Sequence, residues 1–262
     1  LDDNLNLDLD RAISSLGNTF DDANLRISPE SGHGTMVAGL IAAERNNEKG
    51  IVGVAYDATI TGFESDHGLA SIEQLLQAQL HGDGDSIAGM DVTNNSWGFD
   101  EPFQDDFDAA IFHTSAEALR HGVEQGRSNS QHNLGLNWVF AAGNARTDGD
   151  NTNYHNFQNS RYVTTVGAVD HSGRPAYFST PGASILVSAQ GQGLLTTDYQ
   201  QGSGIDELYG RISGTSGAAP LVSGVIALML EANPELGYRD VQSILANSAR
   251  MLHVEGFKYN AA

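Results

Sequence analysis

The chain has 262 residues, with 13 Lys+Arg against 33 Asp+Glu, and its formal charge of −20 excludes an electrostatic grip on nucleic acid, which needs a basic footprint. With 40% hydrophobic and 18% charged residues it has the composition of a folded α/β globule, and the absence of cysteine excludes disulfides, thiolate zinc sites and cysteine nucleophiles. No run reaches the ~18 apolar residues of a membrane helix, and no basic-then-apolar leader opens the chain.

The first 30 residues, rich in Asp and Asn, predict loop. From about residue 35, short apolar runs alternate with helical periodicity, the pattern of a parallel sheet covered by helices. The predicted elements are a helix over 35–43, a strand over 58–63, a helix over 71–80, a strand over 91–96 and a helix over 105–125. Strands over 137–142, 162–169 and 184–187 follow, and then helices over 216–231 and 238–249. Gly- and Asn-rich stretches at 81–84, 127–135 and 143–159 read as loops, and none has the composition of an interdomain linker, so one domain over 1–262 is expected.

Three segments place a reactive residue type beside glycines and a turn or helix start. Ser31-Gly32-His33-Gly34-Thr35 opens an apolar helix and sets His33 in its first turn. Gly214-Thr215-Ser216-Gly217-Ala218-Ala219-Pro220 opens a second one. Pro220 is tolerated in a first helical turn, so that helix is expected to begin near Ser216, whose hydroxyl then has backbone N–H groups and the positive end of a helix dipole beside it. Leu1-Asp2-Asp3-Asn4-Leu5 is an acidic turn. Asp2, His33 and Ser216 thus supply the acid, base and nucleophile of a triad.

On these motifs, with Ala-Ala-Gly-Asn at 141–144, the chain resembles the subtilisin-like serine endopeptidases, and more closely their kexin and furin branch, including its bacterial members. Asp2-Asp3, Asn94-Asn95-Ser96-Trp97-Gly98, Leu230-Glu231-Ala232-Asn233 and Tyr238-Arg239-Asp240-Val241 carry the branch resemblance. It implies a three-layer α/β fold with a mostly parallel sheet, and peptide-bond hydrolysis through an acyl-enzyme on Ser216. It also implies an oxyanion donor in the Asn144 side chain and substrate contacts along Ser96, Trp97 and Gly98. Asp3 and Glu30, and Asp100 or Glu101 near the primary pocket, would favour Lys or Arg in the substrate. A further acid of that pocket falls at His155 here, which weakens the case for strict paired-basic specificity.

The loop 44–51 resembles the branch's calcium loop, with Asn47, the carbonyls of Glu44, Lys49 and Ile51, and Asp10 as ligands of a structural Ca²⁺. Asp150 is a candidate for a second calcium site. Two rival functions stay open, a degradative protease without basic preference and an inactive protease-like binding module. The resemblance further implies a protein or peptide substrate, a secreted or cell-envelope location, and a propeptide and C-terminal β domain in the parent. The chain begins one residue before Asp2, so an excerpt truncated at both ends is expected.

Overall fold

The computed structural model describes residues 13–14, 32–64, 72, 76, 90–128, 132–198 and 209–250. Early in the chain, β1 (Ile13–Ser14) pairs parallel with β2 (Phe63–Glu64). Four further strands, β3 (Val92–Asn95), β4 (Asn137–Ala141), β5 (Val163–Val169) and β6 (Ile185–Gln190), form a parallel sheet in that order. Val92 pairs with Asn137, Trp138 with Val163 and Thr165 with Ile185. An antiparallel pair, β7 (Leu194–Thr197) and β8 (Tyr209–Ile212), lies apart from the four-stranded sheet.

The segment Asn137-Trp138-Val139-Phe140-Ala141 shows why the fold has three layers. Every residue of β4 is buried, yet its side chains divide by the period of two between different cores. Trp138 and Phe140 join Phe112, Leu119 and Val123 of helix α2 (Ala110–Gln125). Val139 and Ala141 join Ala218, Ala219, Val222 and Ile226 of α3 (Thr215–Ala232), with Val241 and Leu245 of α4 (Tyr238–Ser248). A strand covered on both faces needs apolar residues at all positions, which is what the run supplies.

Helix α1 (His33–Ala42) packs on α3 and on β7. Its last carbonyls have no partners within the helix. The chain that follows satisfies them, Val54 N–H donating to the Leu40 carbonyl at 3.1 Å and Ala55 N–H to that of Ile41 at 2.7 Å. From the other side, Thr196 and Thr197 of β7 donate their hydroxyls to the carbonyls of Met36 and Thr35, at 2.6 and 2.7 Å. Helix α1 is therefore held at both ends, its last turn by the chain that follows and its first turn, where His33 stands, by β7.

Several expectations shift. Of the strand expected at 58–63 only Phe63 is extended within a strand. The 184–187 strand runs on to Gln190, and the β7–β8 pair, drawn from mixed polar sequence, has no counterpart among the expected elements. From the helix expected at 71–80, Ile72 and Leu76 are described, and both are helical and buried. The helix expected from 105 starts at Ala110. Asp106 Oδ1 accepts the Asp108 N–H at 3.0 Å, an Asx turn that competes with the helix, and Asp105 turns its carboxylate inward. Helix α3 is, among the described residues, the one helix long and apolar enough by length and composition to cross a membrane, but it packs between α1 and the sheet with ten residues buried, as the core helix of a globular fold does.

Candidate active site

Ser216 is the second residue of α3. Gly214, with φ 143°, takes the backbone conformation that leads into this helix, one that side-chain-bearing residues rarely adopt. It also leaves room for Asn144, since a β-carbon at 214 would lie 3.3 Å from Asn144 Nδ2. Pro220 sits one turn deeper than expected, as the sixth helical residue, so the Ser216 carbonyl lacks its i+4 N–H donor. Ser96 replaces it, donating its hydroxyl to the Ser216 carbonyl at 3.1 Å, while Ser216 Oγ donates to the Ser96 carbonyl at 3.3 Å. A chain of bonds supports this pair. Ser223 donates to Asn94 Oδ1 at 2.9 Å, and Asn94 Nδ2 donates to Ser96 Oγ at 2.9 Å.

Ser96 and Asn144 follow the carboxyl ends of β3 and β4, neighbouring parallel strands, where open α/β sheets place their ligand sites. Asn144 Oδ1 accepts from the Thr215 N–H at 2.9 Å and from the Thr215 hydroxyl at 3.1 Å. Because a backbone N–H can only donate, the oxygen end must face Thr215, and the amide's donor end is turned away from it. The Thr215 hydroxyl in turn accepts the Gly143 N–H at 3.1 Å, and Thr180 Oγ accepts the Ala145 N–H at 3.0 Å, so the chain is fixed on both sides of Asn144. Asn144 is exposed, as a group that meets a ligand must be.

His33 is the first residue of α1, exposed, in a helix packed on α3. Asp2, Asp3, Asp10 and Glu30 lie outside the described residues. Ser96, Trp97 and Gly98 follow β3, but Trp97 turns its indole into the core. Its ring packs edge-on to Phe140 and Phe157 at 5.1 and 5.3 Å, and its Nε1 donates to Asn95 Oδ1 at 3.0 Å. Its backbone, not its ring, is what it can offer a ligand. Gly98 borders the side chain of Gln158, and Asp100 and Glu101 are exposed.

The loop with Glu44, Asn47, Lys49 and Ile51 curls tightly, with φ of 59° at Asn46, 60° at Glu48 and 45° at Gly50. Gly50 is packed under Tyr209, whose ring a β-carbon would strike. Asn47 Oδ1 accepts the Lys49 N–H at 3.0 Å. Asn46 and Glu48 thus sit in the left-handed region that residues with a side chain seldom adopt.

Asp150 faces another partner. Its Oδ1 lies 2.9 Å from His155 Nε2, while His155 Nδ1 lies 3.7 Å from Asp105 Oδ1. Asp105 Oδ2 accepts the Phe157 N–H at 2.9 Å. All three side chains are at least nine-tenths buried. Asp105 and then Asp150 hold the imidazole's pKa above its ordinary value, while burial pulls it down. Among the described residues no group of three or more His, Cys, Asp or Glu side chains is arranged to hold a metal.

Ser96 was expected among the substrate contacts but not as the donor to the Ser216 carbonyl, and Thr215 as an anchor and the acid Asp105 were not singled out from sequence. A signal existed for the first. A proline four residues after Ser216 leaves a carbonyl that some donor must satisfy.

The fold and the glycine-bounded serine at a helix start define a subtilisin-like α/β protein. Residues 2–260 match the Subtilase family (peptidase S8), and the chain belongs to it. Over 233 residues, 83% of this chain and 28% of the relative, it is 37% identical to proprotein convertase subtilisin/kexin type 7 of Mus musculus. Kexin of Saccharomyces cerevisiae is 34% identical over 226 residues, 83% of this chain and 25% of its own length. The chain thus spans about a quarter of these curated relatives. Among solved structures, a protease of Pseudoalteromonas arctica superposes with a TM-score of 0.66 at 30% identity, covering 84% of this chain and 65% of that one. The serine protease of Aeromonas sobria superposes with a TM-score of 0.74 at 22% identity over 94% of this chain and 47% of that one, a likeness of fold.

Proposed function

We propose that this chain is the catalytic domain of a serine endopeptidase. The Ser216 oxygen attacks the peptide carbonyl carbon and passes its proton to His33, and Asp2 holds the imidazole in the tautomer that can accept it. The amine leaves with that proton, and water, deprotonated by the same imidazole, cleaves the acyl-enzyme. Charge on the carbonyl oxygen is met by the Ser216 N–H, in the first turn of α3, and by the donor end of Asn144. The observation that carries this reading is the anchoring of the Asn144 oxygen on Thr215, one residue from the serine. Active-site labelling tests it. A fluorophosphonate should modify the chain at Ser216, and Ser216→Ala should lose both label and hydrolysis. Labelling elsewhere, or retained turnover, would overturn the assignment.

A preference for basic residues is the finer reading, supported by the kexin-like relatives and by the exposed Asp100 and Glu101. Asp3→Asn with Glu30→Gln should lower kcat/KM for substrates with a basic residue just before the scissile-site residue more than for apolar ones, and salt should narrow the gap. Equal losses would return the enzyme to a general protease. The loop 44–51 would hold a structural Ca²⁺ through Asn47 Oδ1, the carbonyls of Glu44, Lys49 and Ile51, and Asp10, the ion contributing stability and no chemical step. Secretion, a propeptide and a following β domain belong to the same kexin-like reading of the parent protein.

A further inference from the structure

Pro220 removes one hydrogen-bond donor from α3, and the repair of that gap has a fixed direction. The Ser216 carbonyl can only accept, so the hydrogen of the Ser96 hydroxyl must point to it, at 3.1 Å. A hydroxyl has a single hydrogen, so Ser96 Oγ is left with acceptor capacity alone. Its other contact, with Asn94 Nδ2 at 2.9 Å, is therefore a donation from the amide. That settles which way the Asn94 amide faces, and its oxygen lies toward Ser223 Oγ, which donates to it at 2.9 Å. One carbonyl on the residue of the nucleophile thus sets the direction of three bonds in series. Both ends of the series stand on α3, Ser223 being seven residues beyond Ser216, about 10 Å along a helix axis. Asn94, in β3, is on the face toward α3, against which that strand packs. Its neighbour Asn95, on the opposite face, accepts from the Trp97 indole instead.

We infer that Asn94 is a positioning residue that acts on the nucleophile through Ser96. By donating to the Ser96 oxygen it keeps that hydroxyl's hydrogen on the Ser216 carbonyl, and so holds the first turn of α3 at a fixed height against the end of β3. Ser96 and Ser216 are joined hydroxyl to carbonyl in both directions, at 3.1 and 3.3 Å. The longer bond is the one that must yield when Ser216 passes its proton to the base. The shorter one, which Asn94 backs, stays while it does, so the serine is released without its backbone being freed. Apolar packing could hold β3 against α3 as well, and what the asparagine adds is direction. The position calls for a group that donates to Ser96 and accepts from Ser223 at once, and a carboxamide meets both needs. Misplacing the nucleophile by about 1 Å costs up to a hundredfold in rate, which gives a strap of this kind its leverage.

The inference rests on the peptidase reading, and its test separates the two. Asn94→Asp in the full chain keeps the size of the side chain and an oxygen toward Ser223. At neutral pH the new carboxylate can only accept, so Ser96 turns its hydrogen to it and leaves the Ser216 carbonyl without a donor. On a peptide that the parent cleaves, kcat should fall about tenfold with KM within about twofold. In a Ser96→Ala background the same change should cost little further in kcat, because the group through which Asn94 acts is gone. A kcat within about twofold of the parent's in Asn94→Asp, or losses that multiply in the double variant, would reduce Asn94 to a link between strand and helix and overturn the proposal. Should Asn94→Asp not fold, Asn94→Leu carries the same comparison. It removes the donor without adding a charge, and Ser223 keeps an acceptor in the Ala219 carbonyl at 3.2 Å. Urea denaturation reads the series in a chain without activity. The midpoint losses of Asn94→Leu and Ser96→Ala should be less than additive, and additive losses would overturn the proposal even if hydrolysis were intact. A parent chain that takes no fluorophosphonate label and cleaves no peptide, but shows this less-than-additive pattern, would instead sink only the peptidase reading.

Discussion

The neighbourhood of Ser216 and the cluster around His155 bury polar groups in opposite ways. At Ser216 the partners are neutral. Ser96, Asn94, Ser223, Thr215 and Asn144 exchange bonds of 2.9 to 3.3 Å. At His155 the partners are ionic, and one contact is long, leaving Asp105 Oδ1 and His155 Nδ1 without a hydrogen-bond partner. Neutral hydrogen bonds are directional and aim single atoms, which suits a nucleophile and an oxyanion donor. Charges act over longer distances and tolerate a loose fit, which suits the joining of two segments. The chemistry is therefore expected to be most sensitive to the neutral network.

The largest break in that contrast comes from Ser216→Ala, which should lower hydrolysis by about four orders of magnitude or more with the fold retained in circular dichroism, since the hydroxyl contributes chemistry and little burial. Residual turnover within tenfold of the parent would remove Ser216 from the reaction. Asn144→Ala should lower kcat by about 10²–10³ with KM nearly unchanged, because the charge it meets exists only in the transition state. That magnitude comes from subtilisin, a member of the same family, and is carried over here. If KM alone moves, Asn144 holds ground-state substrate.

Thr215→Val sharpens the comparison further. It removes the hydroxyl that fixes Asn144 and Gly143 while leaving the Thr215 N–H in place, so about a tenfold loss in kcat is expected, and Thr215→Ser should restore it. A rate equal to the parent's in Thr215→Val would show that the backbone bond alone orients the amide. Ser96→Ala should cost about 1–3 kcal/mol in urea denaturation, since the Ser216 carbonyl that Pro220 leaves free then loses its donor. A smaller loss would mean that water replaces the hydroxyl. The smallest effect is expected at the loop 44–51. There, chelation should lower the melting temperature by a few degrees, and Asn47→Ala should abolish most of that response. A melting temperature indifferent to chelator would leave the curled loop as a purely packed one.

Much of this was legible before any coordinates. Alternating apolar runs gave away the sheet because a strand covered on both faces must be apolar throughout, as in 137–141, and the apolar stretch after Ser216 could only be a buried helix. The helix starts at His33 and Ser216 were legible because a helix start marked by glycine is a local event, written in neighbouring residues. The expectation at 105–109 missed for an equally physical reason. Aspartates there have a helical spacing, but Asp106 closes a turn on itself and Asp105 answers an N–H 52 residues away.

The amino-acid sequence by itself determined the α/β class and the family likeness, and it singled out the residues proposed here as base, nucleophile and oxyanion donor, since each rests on periodicity or on a few adjacent residues. Only the tertiary structure decided which end of the Asn144 amide faces Thr215, that Trp97 turns inward, that Ser96 substitutes for the donor Pro220 lacks, and that Asp150 meets His155. Three of these four depend on side-chain geometry or on partners 71 and 120 residues distant, and the fourth on a five-residue loop closing around a buried charge. Local pattern carries no record of such meetings, because packing brings the groups together only after the layers have formed.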